Sequence, residues 1–324
     1  MPSTLRTRLS SRHRPGVLLA ALLLTAGAAV ACSAEDAAAG DAQAPGTASA
    51  IPDNTEVIAA IEADPALSAA LPPAIAQSKT INLGSNIQSA PNNFYAGDGK
   101  TPIGYEVDLA KAIAAKLGVQ AKHQDMAFGS LITSLQSGRV DMTMAAMNDT
   151  KERQQQIDFV DYFSSGITIM IQKGNPENIT GPDSLCGKNV AVVQGTSHQK
   201  FAAAQSQRCE QEGEPAVNVT ATDSDTQNQN QLRTGRVAAI LNDLPSAVYI
   251  SRTAGDGNAF EVVPGPPIEG GPYGIGFNKD NVALRDAVAK ALGELMTDGT
   301  YETILQSWGV EQGALKEPAI NGGS

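Results

Sequence analysis

The sequence is poor in the residues on which most metal and covalent chemistry depends. Among 324 residues there are three cysteines, three histidines and one tryptophan, and aromatic residues make up 4% of the chain. The spacings Cys-x-x-Cys, His-Glu-x-x-His and Gly-x-Ser-x-Gly, typical of zinc sites and hydrolases, are missing. The composition therefore argues against metal and hydrolase chemistry, and we expect neither a metal nor a cofactor.

Positive charge is also scarce. The chain has 23 basic and 34 acidic residues, for a net charge of −11. Residues 1–31 contain four of the basic residues and none of the acidic ones, so loss of that segment lowers the net charge to −15. Such an acidic protein repels polyanions, which argues against nucleic acid and against an anionic membrane surface as partners.

The N-terminus has the pattern of a secretion signal. Four arginines precede the apolar run Val17–Val30, which is too short to span a bilayer, and the small residues Ala29 and Ala31 suit a signal peptidase. Ala29-Val30-Ala31-Cys32 resembles the lipobox of bacterial lipoproteins. We therefore predict removal of residues 1–31 and lipidation of Cys32; the alternative is an ordinary cleaved signal in which Cys32 is incidental.

The residues that follow Cys32 predict a tether. Residues 32–50 are almost entirely small or polar and are typical of a flexible linker. No later segment is apolar enough to cross a membrane, so we expect an extracytoplasmic domain, lipid-anchored to the outer face of the bacterial cell membrane. The remaining cysteines, Cys186 and Cys209, form an even pair in an oxidising compartment and predict a disulfide.

Patterning predicts an α/β protein. Residues 51–78 have helical spacing broken by prolines and predict a helical N-terminal extension. From Lys79 onward, short apolar strands alternate with amphipathic helices. The predicted strands are Ile81–Ser85, Val119–Gln124, Val140–Ala145, Asn189–Val193, Ala216–Thr220, Ala238–Leu241 and Tyr273–Phe277. The predicted helices are Glu106–Leu117, Ser130–Ser137, a helix ending near Gln207, Asp225–Thr234 and Leu284–Met296.

The two series of strands and helices predict two lobes. We expect lobe 1 to comprise residues 79–166 plus 272–313, lobe 2 to comprise 167–271, and residues 314–324 to form a C-terminal tail. The chain would cross between the lobes near Ile167–Ile171 and again near Ile268–Tyr273, after a loop rich in glycine and proline. Two crossings make a hinge, and small ligands bind in the cleft that such a hinge closes.

A series of short motifs gives the chain a family resemblance. In order, they are Asp98-Gly99-Lys100, Gly104-Tyr105-Glu106-Val107-Asp108-Leu109, Ser134-Leu135-Gln136-Ser137-Gly138-Arg139-Val140-Asp141, Thr150-Lys151-Glu152-Arg153, Ile157-Asp158-Phe159, Leu185-Cys186-Gly187-Lys188, Val190-Ala191-Val192, Gly195-Thr196 and Asp298-Gly299-Thr300-Tyr301. Over about residues 79–310 the sequence resembles extracellular solute-binding protein family 3, the receptors of polar amino-acid ABC importers. The resemblance implies a two-lobed periplasmic-binding-protein-like (type II) fold, a monomer, and an ABC permease as partner.

The resemblance also implies how a ligand is held. Arg153 would pair with the ligand's α-carboxylate, helped by the backbone N–H groups of Thr196 and Ser197 at the start of a helix. Asp243 would pair with the α-ammonium group, and Phe128 would pack on the ligand. The alternatives are a solvated Arg153, an ordinary strand–helix turn, Asp243 as the N-cap of the next helix, and Phe128 as a core residue.

Departures from the family pattern bear on which ligand fits. Asn92 replaces a usual aromatic clamp, Asn86 a frequent aspartate, and Asn148 a frequent serine or threonine; with Ala146, these residues are predicted to face the ligand. Amides both donate and accept hydrogen bonds, which suits a polar side chain such as that of glutamine, glutamate or asparagine. With Asp149 and Asp243 nearby, a cationic ligand is the alternative.

We expect a binding protein and not an enzyme. The competing hypothesis is a dehydratase of cyclohexadienyl acids on the same fold, for which Asp149, Asp243 or Glu269 would be the candidate general acid. Two further alternatives are a receptor for an amino-acid-like osmolyte such as ectoine and a sensory module that presents its closed form to a partner.

Overall fold

The computed structural model describes residues 51–324. The predicted signal peptide 1–31, the lipidation site Cys32 and the linker 32–50 lie outside the described residues. Within residues 51–324, no helix is both long and apolar enough to cross a bilayer.

The first half of the described chain alternates strands and helices after three short N-terminal helices. In chain order the elements are α1 (Thr55–Ala59), α2 (Pro65–Ala69), α3 (Pro73–Ser78), β1 (Thr80–Ser85), β2 (Phe94–Tyr95), β3 (Pro102–Ile103), α4 (Tyr105–Lys116), β4 (Gln120–Asp125), α5 (Leu131–Gln136), β5 (Met142–Thr143), α6 (Lys151–Gln154) and β6 (Asp158–Gln172).

The second half repeats the alternation and then returns to two long helices. Its elements are β7 (Asn189–Val193), α7 (Ser197–Gln211), β8 (Asn218–Thr222), α8 (Asp225–Arg233), β9 (Ala239–Asp243), α9 (Leu244–Thr253), β10 (Phe260–Val262), β11 (Ile268–Phe277), α10 (Val282–Thr297) and α11 (Thr300–Ser307).

Nine of the strands join into a sheet that passes through both lobes, and β2 and β3 pair separately. Its nine strands run in the order β4-β1-β5-β11-β6-β9-β7-β8, with β10 pairing with β6. The first half of β6 pairs antiparallel with β11, and its residues Ile167–Ile171 pair with β9. The long strands β6 and β11 are therefore the two segments that connect the lobes, as a hinged two-lobed fold requires.

Each lobe has its own hydrophobic core. In lobe 1, Ile81 and Leu83 of β1 pack against Leu109 and Ile113 of α4. In lobe 2, a separate cluster surrounds Val190 of β7 and includes buried residues of β6 and β9. Burial of each such side chain contributes about 1.5–3 kcal/mol. Because the cores are separate, one lobe can rotate against the other about β6 and β11 without breaking either core.

The N-terminal extension consists of three helices because prolines interrupt its helical spacing. Pro65 begins α2 directly after Asp64, whose carboxylate caps the helix by accepting from the backbone N–H groups of Ala66 and Leu67 at 2.6 and 3.1 Å. Leu67 and Ile75 are buried in the lobe 1 core. The extension therefore packs on lobe 1.

Of the predicted strands, three differ most from the structure. The strand predicted at Val140–Ala145 is reduced to β5, and the one predicted at Ala216–Thr220 is shifted by two residues to β8. The loop predicted at Gly265–Gly271 overlaps β11, which already begins at Ile268. Pairing with β6 keeps this glycine- and proline-rich segment extended, with a register irregularity between Ile268 and Gly271.

The predicted disulfide is confirmed. Cys186 and Cys209 are bonded, with Cα atoms 5.6 Å apart. The bond fastens α7 to the turn Pro182–Leu185, and Cys209 is buried in the lobe 2 core. Closing a loop of this length stabilises the fold by about 3 kcal/mol in the chain-entropy model.

Candidate functional site

The two lobes touch each other across a cleft beside the hinge. Arg153 of lobe 1 donates from Nη2 to the backbone oxygen of Gly195 in lobe 2 at 3.2 Å. Ser197 of lobe 2 donates from Oγ to Oδ1 of Asn148 in lobe 1 at 2.7 Å. These direct bonds between lobes define a closed arrangement.

Arg153 is held rigidly in the wall of the cleft. It lies in the short helix α6, which Thr150 caps by accepting from the Arg153 backbone N–H. Its Nη1 also donates to the backbone oxygen of Asn148 at 2.8 Å, and the guanidinium lies 5.5 Å from the centre of the Phe128 ring. Arg153 is 6% exposed, and burial lowers its pKa. Because its contacts are neutral, this buried cation is ready to accept an anion.

The opposite wall presents a turn suited to a carboxylate. Strand β7 ends at Val193, and the turn Gln194–Thr196 leads into the fifteen-residue helix α7. Gly195 has φ +79°, and a Cβ there would lie 3.2 Å from the Cα of Gly129 in lobe 1. Glycine is therefore required both by the turn and by the approach of the other lobe. The backbone N–H groups of Thr196 and Ser197 at this helix start are suited to an anion.

A polar network lies at the carboxyl ends of the lobe 2 strands. Asp243 ends β9, and its Oδ1 lies 3.2 Å from Nε2 of His198 on α7. Asn242 donates from Nδ2 to Oδ1 of Asp225 at 3.1 Å, and Gln229 donates from Nε2 to Oδ2 of Asp225 at 3.0 Å. Burial raises the pKa of Asp225 to about 6. The carboxylates of Asp225 and Asp243 place negative charge at the lobe 2 wall of the cleft, whereas Arg153 places positive charge at the lobe 1 wall.

The capping alternative for Asp243 is not realised. Asp243 does occupy the N-cap position of α9, but its side chain makes no capping hydrogen bond. Apart from the contact between Oδ1 and His198, its carboxylate is therefore available to the cleft.

A small cavity remains in the closed cleft. It encloses about 40 Å³ and is lined by polar side chains of both lobes with a few apolar ones: Asn86, Ser89, Phe128, Val193, Thr196, His198, Asp225, Leu241, Asn242 and Asp243. A cavity of this volume has room for water and is too small for an amino acid. Ligand entry therefore requires the lobes to separate.

The structure brings most of the predicted site residues together. Asn86, Phe128, Thr196 and Asp243 line the cavity. Arg153, Asn148 and Ser197 meet one another at the contact between the lobes. The sequence reasoning missed His198 and Asp225. Their positions could have indicated this role. Asp225 begins the helix that follows β8, and His198 is the second residue of the helix that follows β7. Because β7 and β8 are parallel, the residues that follow them lie at the same edge of the sheet.

Asn92 and Ala146 lie behind the wall of the cleft. Asn92 is fully buried, with its Nδ2 3.5 Å from Oγ of Ser89. The backbone N–H of Ala146 donates to Glu106 at 2.7 Å. Tyr162 also donates to the buried Glu106, whose pKa burial raises to about 7. These residues support the cleft wall without lining the cavity.

Asp149 and Glu269, named as candidate acids for a dehydratase, do not line the cavity. Asp149 accepts from the backbone N–H of Gly323 at 2.8 Å and from Gln154 at 2.8 Å. Glu269 is exposed on β11. Neither carboxyl group is among the described residues that line the cavity.

Comparisons with known proteins place these features in a family. The model for bacterial extracellular solute-binding proteins, family 3, matches residues 81–311. The arginine-binding protein ArgT of Corynebacterium glutamicum is 31% identical over 259 residues, which cover 79% of this chain and 83% of that protein.

Solved structures of an ancestral arginine-binding protein are similar to this chain. The form bound to arginine is 34% identical, with a TM-score of 0.64, over 71% of this chain and 98% of that one. The form bound to glutamine is 33% identical, with a TM-score of 0.64, over 72% and 99%. The two-lobed fold is thus shared along nearly the whole length of these proteins.

Proposed function

This chain belongs to the bacterial extracellular solute-binding proteins of family 3, and we propose that it captures a free polar amino acid between its lobes and delivers it to an ABC permease. Arg153 binds the α-carboxylate, together with the N–H groups of Thr196 and Ser197. Asp243 binds the α-ammonium group. Phe128 packs on the ligand and on the guanidinium, and Asn86 contacts its side chain.

The placement of Arg153 and Asp243 carries this proposal. A buried guanidinium that contacts only neutral groups lies at one wall, and a buried carboxylate without a capping bond lies at the other. A zwitterion supplies the opposite charge to each. Because the ligand contacts both lobes only when they close, binding energy shifts the population toward the closed state.

The cavity lining favours an uncharged or cationic side chain over an anionic one. Asn86, Ser89 and Asn242 offer donors and acceptors, and Asp225 adds a second carboxylate beside Asp243. The cavity lining contains no lysine or arginine that could pair with an anionic side chain. Of the side chains favoured by the sequence, glutamine and asparagine therefore fit best and glutamate least. We rank arginine after glutamine and asparagine, because two similar proteins are named for binding arginine.

A thermal-shift screen tests this function. Because a ligand of the native state raises the melting temperature by mass action, we expect a rise with glutamine, asparagine or arginine, and less or none with glutamate. Ectoine, prephenate and arogenate are included, and we expect no turnover of the last two. A shift confined to ectoine, or product formed from prephenate or arogenate, would contradict the proposal.

We further propose that Cys32 carries a lipid that holds the receptor near its permease. The small and polar composition of residues 32–50 supports this, because such a composition is typical of the linkers that join a lipid anchor to a folded domain. We expect Cys32→Ser to release the protein from cells into the medium, as judged by immunoblotting of the two fractions. A substitution in the linker, Ser33→Ala, is the control; retention of the Cys32 variant on the cells would contradict the anchor.

A further inference from the structure

The C-terminal segment packs against the strand that leads into the hinge. Asp161 of β6 donates its backbone N–H to the oxygen of Ala319 at 2.8 Å, and Asn321 donates its own to the oxygen of Phe159 at 3.1 Å. The Asn321 side chain accepts from the backbone N–H of Phe159 at 2.8 Å. Residues 319–323, called here the C-terminal strap, are therefore bound to β6 over several consecutive residues.

The end of the strap reaches the segment that holds Arg153. The backbone N–H of Gly323 donates to Oδ2 of Asp149 at 2.8 Å, and its oxygen accepts from the side chain of Gln154 at 3.2 Å. Gln154 also donates to Oδ1 of Asp149 at 2.8 Å. Gly323, Asp149 and Gln154 are therefore joined in a ring of hydrogen bonds, which spans the segment 149–154 that contains Arg153.

This ring is adjacent to the contacts between the lobes. Asn148, which precedes Asp149, accepts from Arg153 through its backbone oxygen and from Ser197 of lobe 2 through its side chain. The backbone N–H of Asp149 is itself held by the oxygen of Pro272 on β11 at 2.9 Å. Movement of Asp149 would therefore displace both Asn148 and Arg153.

Two glycines of the strap have no room for a side chain. A Cβ on Gly323 would lie 2.0 Å from the backbone oxygen of Asp149, and one on Gly322 would lie 2.6 Å from Oδ2 of Asp161. The N–H groups of these glycines donate to Asp149 and Asp161, two buried carboxyl groups that lie close together. Burial and the charge of Asp149 raise the pKa of Asp161 to about 7.

We propose that the C-terminal strap positions Asn148 and Arg153 for the ligand carboxylate, which makes Asp149, Gly322 and Gly323 positioning residues of the binding site. The inference rests on the proposed function for its effect on affinity. The strap lies outside the residues 81–311 matched by the family model.

The test compares Gly323→Ala with Gly97→Ala in the purified full chain. Gly97 is exposed, with no atom within 4 Å of a Cβ built there, so its variant is the matched control. Without ligand, we expect Gly323→Ala to increase hydrogen exchange at residues 148–154 and to leave α7 and α8 unchanged. Calorimetric titration with L-glutamine and L-arginine should show at least a tenfold weaker affinity. Gly97→Ala should match the unmodified protein.

A second variant separates positioning from general stability. Asp161→Asn keeps an acceptor for Gly322 and removes the charge that faces Asp149 and Lys151. In the unmodified protein, affinity should weaken as the pH rises from 6 to 8.5, because two adjacent carboxylates then repel and loosen the strap. Asp161→Asn should remove that dependence.

Unchanged exchange at residues 148–154 in Gly323→Ala would overturn the inference, as would increased exchange with unchanged affinity. If the unmodified protein binds none of glutamine, arginine and asparagine, the proposed function fails. The exchange comparison then still decides whether the strap holds the Arg153 segment.

Discussion

At the scale of single residues, Arg153 has the largest predicted effect on binding. Replacing it with alanine leaves the ligand carboxylate in a buried site without its charged partner, which costs about 3 kcal/mol or more. We expect Arg153→Ala to weaken amino-acid affinity on the order of 100-fold in calorimetric titration.

Arg139→Ala is the control for this experiment. Arg139 is exposed on lobe 1, and the described residues give it no ion pair. Its variant should bind as the unmodified protein does. Near-normal affinity in Arg153→Ala would exclude the arginine as the carboxylate partner.

Residue positions could be predicted from the sequence where a motif fixes them locally. Thr150 and Arg153 belong to one turn, so the cap and the guanidinium follow from a four-residue pattern. His198 and Asp243 are 45 residues apart, and no local pattern indicates that they meet. The contact of Asp149 with Gly323 is likewise invisible to a local pattern, because the two residues are 174 positions apart.

At the scale of elements, the turn Gln194–Thr196 determines how closely the lobes approach. Gly195→Ala places a methyl group 3.2 Å from Gly129 and strains a positive φ. We expect the variant to fold, since the turn lies at the surface of lobe 2, but to bind the amino acid at least tenfold more weakly because closure is incomplete.

Gly129→Ala provides the matched control on the opposite wall. A Cβ on Gly129 meets only the backbone oxygen of Gln194, at 4.0 Å, which is an ordinary contact. Its affinity should change little. If the two variants bind equally well, the close approach at Gly195 has no part in closure.

A helix or strand is predicted accurately when residues within or next to it determine where it begins and ends. Helices α4 and α10 begin and end within two residues of the predicted bounds, because apolar periodicity and the residues at their ends are local signals. Strand β11 begins earlier than predicted because pairing with β6 overrides its glycines and proline. The packing of the strap on β6 could not be predicted, because residues 314–324 contain neither helical nor strand periodicity.

At the scale of the whole molecule, buried carboxyl groups make stability depend on pH. Burial raises the pKa of Glu106 from 4.5 to about 7 and that of Asp225 from 3.8 to about 6. The folded protein therefore keeps protons that the unfolded chain releases. The free energy of unfolding should fall as the pH rises from about 5 to 7, by on the order of 1 kcal/mol per pH unit for Glu106.

Urea denaturation at pH 5, 6, 7 and 8 measures this dependence. Glu106→Gln removes one titrating group and should flatten the curve, whereas Glu311→Gln, at an exposed position, should leave it unchanged. Stability that increases from pH 5 to 7 in the unmodified protein would contradict the assigned direction.

Closure of the whole molecule should be visible through its single tryptophan. Trp308 packs edge-on against Phe94, with ring centroids 6.0 Å apart, and Phe94 contacts Tyr249 of lobe 2 at 5.9 Å. Because Tyr249 reaches Phe94 only when the lobes meet, ligand binding should change the surroundings of Trp308. We expect a saturable change in tryptophan fluorescence that follows the calorimetric binding curve. Tyr249→Ala should reduce its amplitude, while Val219→Ala, at an exposed site on β8, should preserve it. A full-amplitude change in Tyr249→Ala would mean that Trp308 senses something other than the approach of lobe 2.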